Sequence, residues 1–336
     1  MVDEIQAYAK ALGAVANYYS PSPKPLIWSN KVTYKCVCRC GFCPFWRMRA
    51  KELNTQQQLE LIDQAAKLGV GFVAFEGGEP LCREDLPILL AHAKKKGMIT
   101  ALITNGCLFE QRRHEVIDSI DILIVSIDGP EHIHDALRGK KGVFRKAVAC
   151  RKLAGGKRFF FNAVLNEKNF AYVEDIVNIA EQNRTMVSFC PAFSYSGADD
   201  LRGGKEDFLA AISKLQSLKR KGKPIMNSNA FFEHILSGGK LRCVYPRLFM
   251  NTNPEGRLVY PCPAWEGRYT PKKDVTNGRL AEEWGSRGCV EFRAGNKRCA
   301  TCEQCHFIDS TEASLILRGK PLLLLEYMGI WRKIRG

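Results

Sequence analysis

The sequence predicts an α/β protein, in which a partial barrel of six parallel β/α units, (β/α)6, precedes a small cysteine-rich C-terminal domain. Three observations lead to this prediction. Between residues 26 and 219, six short apolar segments alternate with segments of helical periodicity. Loops that carry cysteines, glycines or small polar residues follow the first four apolar segments. After residue 238 the alternation stops, and turns and cysteines become frequent.

The predicted elements follow one another at the spacing of β/α units. An amphipathic helix over residues 3–18 and the linker PSPKP precede them. Strands are predicted at Leu26–Thr33, Phe72–Phe75, Ile99–Thr104, Ile122–Ile127, Arg158–Leu165 and Met186–Cys190. Helices are predicted at Thr55–Leu68, Glu84–Lys96, Phe109–Ser119, Phe144–Ala154, Ala171–Gln182 and Asp207–Lys219. Because continuously apolar strands are typical of parallel sheets covered by helices, functional residues are expected at the carboxyl ends of the strands.

The same pattern divides the chain into four parts. We expect an N-terminal helix and linker at 1–25 and the barrel at 26–238. A cysteine-rich domain is expected at 239–312, followed by an apolar and basic tail at 313–336.

Composition restricts the classes of protein and the compartment. Fifty Lys and Arg residues against 35 Asp and Glu residues give a net charge of +15, which favours an anionic partner or simply a solvated basic surface. Nucleic acid is disfavoured, since the basic residues are scattered and no recognition helix or zinc-finger spacing is visible. Without a basic N-terminal leader or about 18 consecutive apolar residues, a cytoplasmic protein is expected. In that reducing compartment, closely spaced cysteines indicate metal or cluster ligation.

The first cysteine group follows the first predicted strand. Cys36, Cys40 and Cys43 form a CxxxCxxC pattern. Three thiolates from one loop can hold three irons of a 4Fe–4S cube and leave the fourth iron open for a ligand. The alternative is a structural zinc site, for which Cys38 would be the fourth ligand, although its alternating spacing suits zinc poorly.

Taken together, CxxxCxFC after the first strand, GGEP after the second and SIDGP after the fourth resemble the radical S-adenosylmethionine (SAM) superfamily over about residues 28–195. The resemblance implies a TIM-like partial barrel in which Cys36, Cys40 and Cys43 ligate the cluster. It also implies that the amino and carboxylate groups of SAM chelate the fourth iron. Reductive cleavage of SAM then gives methionine and a 5′-deoxyadenosyl radical. An electron donor of the flavodoxin or ferredoxin type is implied as a partner.

The resemblance also implies which residues contact SAM. GGEP is expected to bind the methionyl ammonium, with a tight turn as the alternative role of its glycines. The small polar residues after the third and fourth strands suit hydrogen bonds to SAM but also ordinary caps. The predicted SAM-binding residues are Phe42, Gly77, Gly78, Glu79, Thr104, Asn105, Ser126, Asp128 and Arg138.

A second cysteine group lies in the C-terminal domain. Cys243 and Cys262 flank NPEGRLVYPC, which predicts a hairpin around Asn253–Gly256. Cys299, Cys302 and Cys305 follow as CxxCxxC, and Cys289 precedes them. Two cysteines near the hairpin and two of the later three would make four thiolates, for zinc or a fully ligated cluster. The arrangement resembles the auxiliary-cluster domains called SPASM and twitch, which implies one auxiliary 4Fe–4S cluster.

The tail joins a leucine run to a basic end with Trp331. It could pack into the barrel as core, or lie on an anionic membrane. The resemblance favours radical modification of an unactivated carbon in a peptide, protein or small molecule, with an isoprenoid or other membrane lipid as the alternative. A non-catalytic zinc- or nucleic-acid-binding protein is the alternative from a different class.

Overall fold

The computed structural model contains the predicted parallel sheet, with seven strands. It describes residues 13, 16–192, 195, 198–263, 278–294, 307–318, 320 and 322–334. All neighbouring strands are parallel and lie in the order β6-β5-β4-β3-β2-β1-β7. The strands are β1 (Ile27–Thr33), β2 (Phe72–Gly77), β3 (Ile99–Thr104), β4 (Ile122–Ser126), β5 (Arg158–Leu165), β6 (Met186–Pro191) and β7 (Phe249–Thr252). The α/β class and the partial barrel are therefore confirmed.

Helices follow the strands and cover one face of the sheet. In the barrel they are α1 (Thr55–Leu68), α2 (Leu86–Lys95), α3 (Phe109–Val116), α4 (Glu131–Arg138), α5 (Val143–Leu153), α6 (Val173–Gln182), α7 (Lys205–Arg220) and α8 (Asn229–Leu236). The later helices are α9 (Tyr245–Leu248), α10 (Leu280–Trp284), α11 (Arg287–Ala294), α12 (Ile308–Arg318) and α13 (Leu323–Lys333). Short 3-10 helices occupy Phe45–Arg47, Pro80–Cys82, Ile117–Ser119 and Phe170–Tyr172.

Alternation along the strands separates two apolar layers. Val73 and Phe75 of β2 are buried in the large core between the sheet and the helices. Phe72 and Ala74 lie on the other face, with Ala101 and Ile122 of the neighbouring strands. Because successive side chains of a strand point to opposite faces, the same strands supply both the core and the concave wall of the barrel.

The seventh strand comes from the segment after residue 238, which the sequence pattern assigned to a separate domain. β7 pairs with β1, from Ile27 opposite Phe249 to Asn30 opposite Thr252. The hairpin turn predicted after it is present, since the Gly256 N–H donates to the Asn253 carbonyl at 2.9 Å. The first part of that segment therefore extends the barrel sheet.

The tail packs onto the concave face near the amino ends of the strands. Trp331 of α13 contacts the apolar cluster of Ala74, Ala101 and Ile122. The Arg158 guanidinium lies over the Trp331 ring at 4.2 Å. The Phe159 N–H donates to the Ile334 carbonyl at 3.1 Å. The described part of the tail thus fills the base of the barrel, as the core interpretation predicts. Within the described residues, no helix has the length and apolarity needed to cross a bilayer.

Candidate active site

A cavity of about 610 Å³ opens among the carboxyl ends of the strands and extends down the concave face. Its wall combines the loops after the first three strands, inward residues of the sheet and the C-terminal helices. Most of the predicted site residues meet there: Cys36, Cys40, Cys43, Phe42, Gly77, Gly78, Thr104, Asn105, Ser126 and Arg138. Glu79 and Asp128 are not part of the lining; they lie behind it.

The three cysteines of the first group share this cavity, and their surroundings suit a cluster. Burial raises the pKa of the Cys43 thiol to about 12 and also raises that of Cys40. A cationic iron site would reverse this shift by ligating the thiolates. No three Cys, His, Asp or Glu side chains of the described residues converge on one point, as a single zinc ion requires. A 4Fe–4S cube would take each of the three thiolates on a separate iron.

Hydrogen bonds to the end of α4, within the loop and from the following 3-10 helix hold the cysteine loop. The Arg39 N–H donates to the Arg138 carbonyl at 2.9 Å, and the Arg39 guanidinium donates to the Cys36 carbonyl at 2.7 Å. Gly139 lies against the Arg39 backbone in the left-handed region, at φ 59°, where a side chain would collide. The Trp46 indole N–H donates to the Cys40 carbonyl at 2.9 Å. These contacts fix the loop without using the cysteine sulfurs.

The two glycines of GGEP are required by the end of β1. Gly77 has φ 132°, and a Cβ there would meet the Thr33 carbonyl oxygen. A Cβ on Gly78 would meet the Lys35 carbonyl oxygen. The Gly78 N–H donates to the Thr33 carbonyl at 2.8 Å. The glycines therefore let the second loop lie directly against the chain that enters the cysteine loop, while both still line the cavity.

Glu79 organises the next loop from behind the cavity wall. Its carboxylate accepts from the Thr104 hydroxyl at 2.8 Å, from the Asn105 N–H at 2.9 Å and from the Leu81 N–H at 3.2 Å. Burial raises the pKa of this carboxyl to about 7, against the opposing effect of those hydrogen bonds. The Asn105 amide lies 3.7 Å from the Cys36 sulfur. Glu79 thus connects GGEP to the cysteine loop through residues that face the cavity.

Asp128 lies behind the cavity lining as Glu79 does, and it holds Arg138 and the end of β5. Its carboxylate pairs with the Arg138 guanidinium at 2.6 Å and accepts from the Val164 N–H at 2.9 Å. The Asp128 N–H donates to Nδ1 of His134, whose pKa burial lowers to about 4, so that ring is neutral. Arg138 reaches the cavity with its charge compensated and lies 5.5 Å from the Phe42 ring centroid.

Polar residues of β4, β5 and β6 continue the lining. Ser126 is opposite Asn162, and the Ser188 hydroxyl donates to the Asn162 side-chain oxygen at 2.7 Å. All three line the cavity. Ser126 was predicted from its place after an apolar strand, whereas Ser188 lies inside a strand and gave no loop signal.

The second cysteine group is described only in part. Cys243 and Cys262 pack against the same apolar cluster, which includes Tyr245 and Phe249. Cys289 belongs instead to the large core behind the sheet, where its carbonyl accepts from the Tyr260 hydroxyl at 3.3 Å. Cys299, Cys302 and Cys305 lie outside the described residues.

Four charged residues of the cavity lining were missed by sequence reasoning. They are Lys31, Glu76, Asp309 and Glu312, with the Tyr327 phenol beside them. Glu76 is the one charged residue of the otherwise apolar strand β2, which is a signal of an inward polar role, whereas Lys31 lies among other polar residues of β1. Asp309 and Glu312 lie on α12, far along the chain, and nothing in the local sequence connects them with the barrel.

A sequence model of the radical SAM superfamily matches residues 30–180. The chain is 31% identical to Fe-coproporphyrin III synthase of Methanosarcina barkeri, over 93% of this chain and 87% of that protein. It is 27% identical to PqqA peptide cyclase of Granulibacter bethesdensis, over 82% and 78%.

Two solved structures have the same fold at low identity. SuiB of Streptococcus suis bound to SAM gives a TM-score of 0.68 at 16% identity, over 85% of this chain and 72% of SuiB. The protein anSMEcpe with bound AdoMet and the Kp18Cys peptide gives 0.64 at 17% identity, over 91% and 100%.

Proposed function

The chain belongs to the radical SAM superfamily of enzymes, and we propose that it cleaves SAM reductively and uses the resulting radical to modify an unactivated carbon of a peptide. The observation that carries the proposal is the convergence of Cys36, Cys40 and Cys43 with the GGEP loop on one cavity. In this proposal the three cysteines hold a 4Fe–4S cluster. When bound, the cluster supplies one electron to SAM, which yields methionine and a 5′-deoxyadenosyl radical.

The residues around that position bind and orient the cofactor. Gly77 and Gly78 offer backbone to the methionyl end of SAM, and Asn105 and Ser126 offer hydrogen bonds from the neighbouring loops. Phe42 gives an apolar surface for the adenine. Glu79 and Asp128 act through these groups as positioning residues, because their carboxylates are already occupied by donors of the protein. The apolar walls below exclude water from a reactive carbon radical.

A peptide substrate is supported by several relatives. PqqA peptide cyclases of two organisms match most of the chain. SuiB was solved with the precursor peptide SuiA, and anSMEcpe with the Kp18Cys and Cp18Cys peptides. A small-molecule substrate is the second candidate, because the match to Fe-coproporphyrin III synthase covers more of the chain at higher identity.

We also propose one auxiliary 4Fe–4S cluster, held by Cys243, Cys262 and two of Cys299, Cys302 and Cys305. The shared apolar surroundings of Cys243 and Cys262 support it. Metal analysis of the anaerobically reconstituted protein should give about eight irons per chain, four for each cube. Cys243→Ala should lower this to about four, while Cys289→Ala should retain eight. Two irons or fewer, or stoichiometric zinc, in the wild type would remove both clusters from the proposal.

The first test of the function is a substrate-free assay. The reconstituted protein is reduced with dithionite in the presence of SAM, and 5′-deoxyadenosine is measured by chromatography. We expect turnover that depends on reduction and on iron. A fully loaded protein that forms no 5′-deoxyadenosine would contradict the proposal. Flotation with anionic liposomes tests the lipid alternative separately. If the substrate is a membrane lipid, the protein should float with the vesicles.

A further inference from the structure

Part of the cavity lining lies outside the residues proposed to hold the cluster and SAM. Its walls are apolar: Phe72 and Phe160 line it from the sheet, Met226 from the loop before α8 and Phe307 from the residue before α12. Carboxylates of Glu76, Asp309 and Glu312 project into this apolar space. A pocket of this kind suits an apolar stem that ends in a group able to pair with a carboxylate.

Two of the three carboxylates have partners within the protein. Glu76 pairs with the Lys31 ammonium at 3.2 Å and also accepts from the Ser29 hydroxyl. Glu312 accepts from both the backbone N–H and the hydroxyl of Ser228, each at 2.8 Å. These two side chains are therefore fixed by neighbouring donors.

Asp309 differs from them. In the described part of the chain, no hydrogen-bond donor and no cationic side chain pairs with its carboxylate. Asp309 is exposed to the cavity. The protein that encloses the cavity raises the pKa of its carboxyl to about 6, and the nearby Glu76 and Glu312 carboxylates raise it further. Three carboxylates on one side of an apolar cavity give that side a negative potential, which favours a cationic group over a neutral or anionic one.

We propose that Asp309 binds a cationic group of the substrate, an alkylammonium or guanidinium, whose aliphatic stem lies along the apolar wall. The proposal rests on the proposed function, since it places this substrate in the cavity that SAM shares. It favours a Lys or Arg side chain of a peptide over a polycarboxylate such as a porphyrin, because Glu312 and Glu76 would repel added carboxylates. The two cationic residues of the lining already have carboxylate partners, since Lys31 pairs with Glu76 and Arg138 pairs with Asp128.

The test measures binding without turnover. Isothermal titration calorimetry of the reconstituted, SAM-loaded protein compares N-acetyl-lysine N-methylamide with its norleucine and glutamate analogues. The lysine probe should bind at least tenfold more tightly than the norleucine probe, and the glutamate probe should not saturate. An arginine probe and n-pentylamine show whether guanidinium or a free amine binds as well.

Variants locate the effect. Asp309→Asn should weaken the lysine probe about tenfold and leave the norleucine probe unchanged, while Asp309→Glu should retain the preference for lysine. Asp175→Asn removes an exposed carboxylate from α6 and serves as the matched control, with no change expected. Equal binding of lysine and norleucine probes by the wild type, or full lysine affinity in Asp309→Asn, would overturn the proposal. Wild-type protein that cleaves SAM yet prefers the glutamate probe would overturn this inference alone.

Discussion

The buried ion pair behind the proposed SAM site should stabilise the protein far more than an exposed ion pair that also involves helix α4. Asp128 and Arg138 meet at 2.6 Å with side chains 0% and 10% exposed. Glu131 and Arg145 meet at 2.8 Å, but their side chains are 43% and 78% exposed. Arg138 and Glu131 both lie on α4, so the exposed pair serves as a matched control.

The expected magnitude follows from the surroundings. Unit charges 2.6 Å apart attract by roughly 6 kcal/mol at an effective dielectric constant of about 20, and desolvation offsets part of this. Asp128→Asn leaves the Arg138 charge buried without its partner, and such losses cost about 3–5 kcal/mol. Glu131→Gln should cost less than about 1 kcal/mol, because water screens that pair.

Urea unfolding of the apoprotein measures both losses. A cycle with Arg138→Met adds a second requirement, since removal of both charges should recover part of the stability lost in Asp128→Asn. If Asp128→Asn unfolds at the same urea concentration as Glu131→Gln, the buried pair does not support the site as argued.

Three further predictions concern the two ends of the cavity. Glu79→Gln places an amide donor against a backbone donor and should lower stability by about 1–3 kcal/mol in thermal unfolding, whereas the exposed Glu84→Gln should not. Because the pKa of Asp309 rises from near 4 to about 6 on folding, its favourable contribution is present below pH 4 and lost as pH rises through 6. Asp309→Asn should therefore flatten the change of unfolding midpoint between those pH values; an unchanged slope contradicts this. Trp331→Ala should cost about 3 kcal/mol by leaving a gap against Ala101, and an unaltered melting temperature would show that the tail does not fill the barrel.

Helices and strands with clear capping residues or periodicity in their own sequence were predicted correctly. Helix α1 has the predicted bounds because Asn54 caps it through Gln57 and Gly69 ends it in the left-handed region, at φ 103°. Strand β5 likewise has the predicted bounds. Helix α4 was missed because it is two turns long and follows directly on a turn motif. Because this helix was not predicted, no structural reason for the position of Arg138, its last residue, was visible in the sequence.

Features formed by distant parts of the chain could not be predicted in this way. Strand β7 is four residues long, and its partner β1 lies more than 200 residues earlier, so no local pattern shows the pairing. The same reason applies to Asp309, which reaches the cavity only through the packing of α12. The motif cysteines and GGEP were predicted because each directly follows an apolar strand. The sequence could not show that Glu79 and Asp128 lie behind the cavity wall, because their hydrogen bonds join segments that are distant along the chain.

The most direct test compares Cys36→Ala with Cys150→Ala, a core cysteine outside the cavity lining. Both variants are reconstituted anaerobically, reduced and supplied with SAM, and 5′-deoxyadenosine is counted per chain. Cys36→Ala should form none above background, while Cys150→Ala should form it at the wild-type rate. Undiminished SAM cleavage by Cys36→Ala would show that the cavity among the strand ends does not hold the reacting cluster.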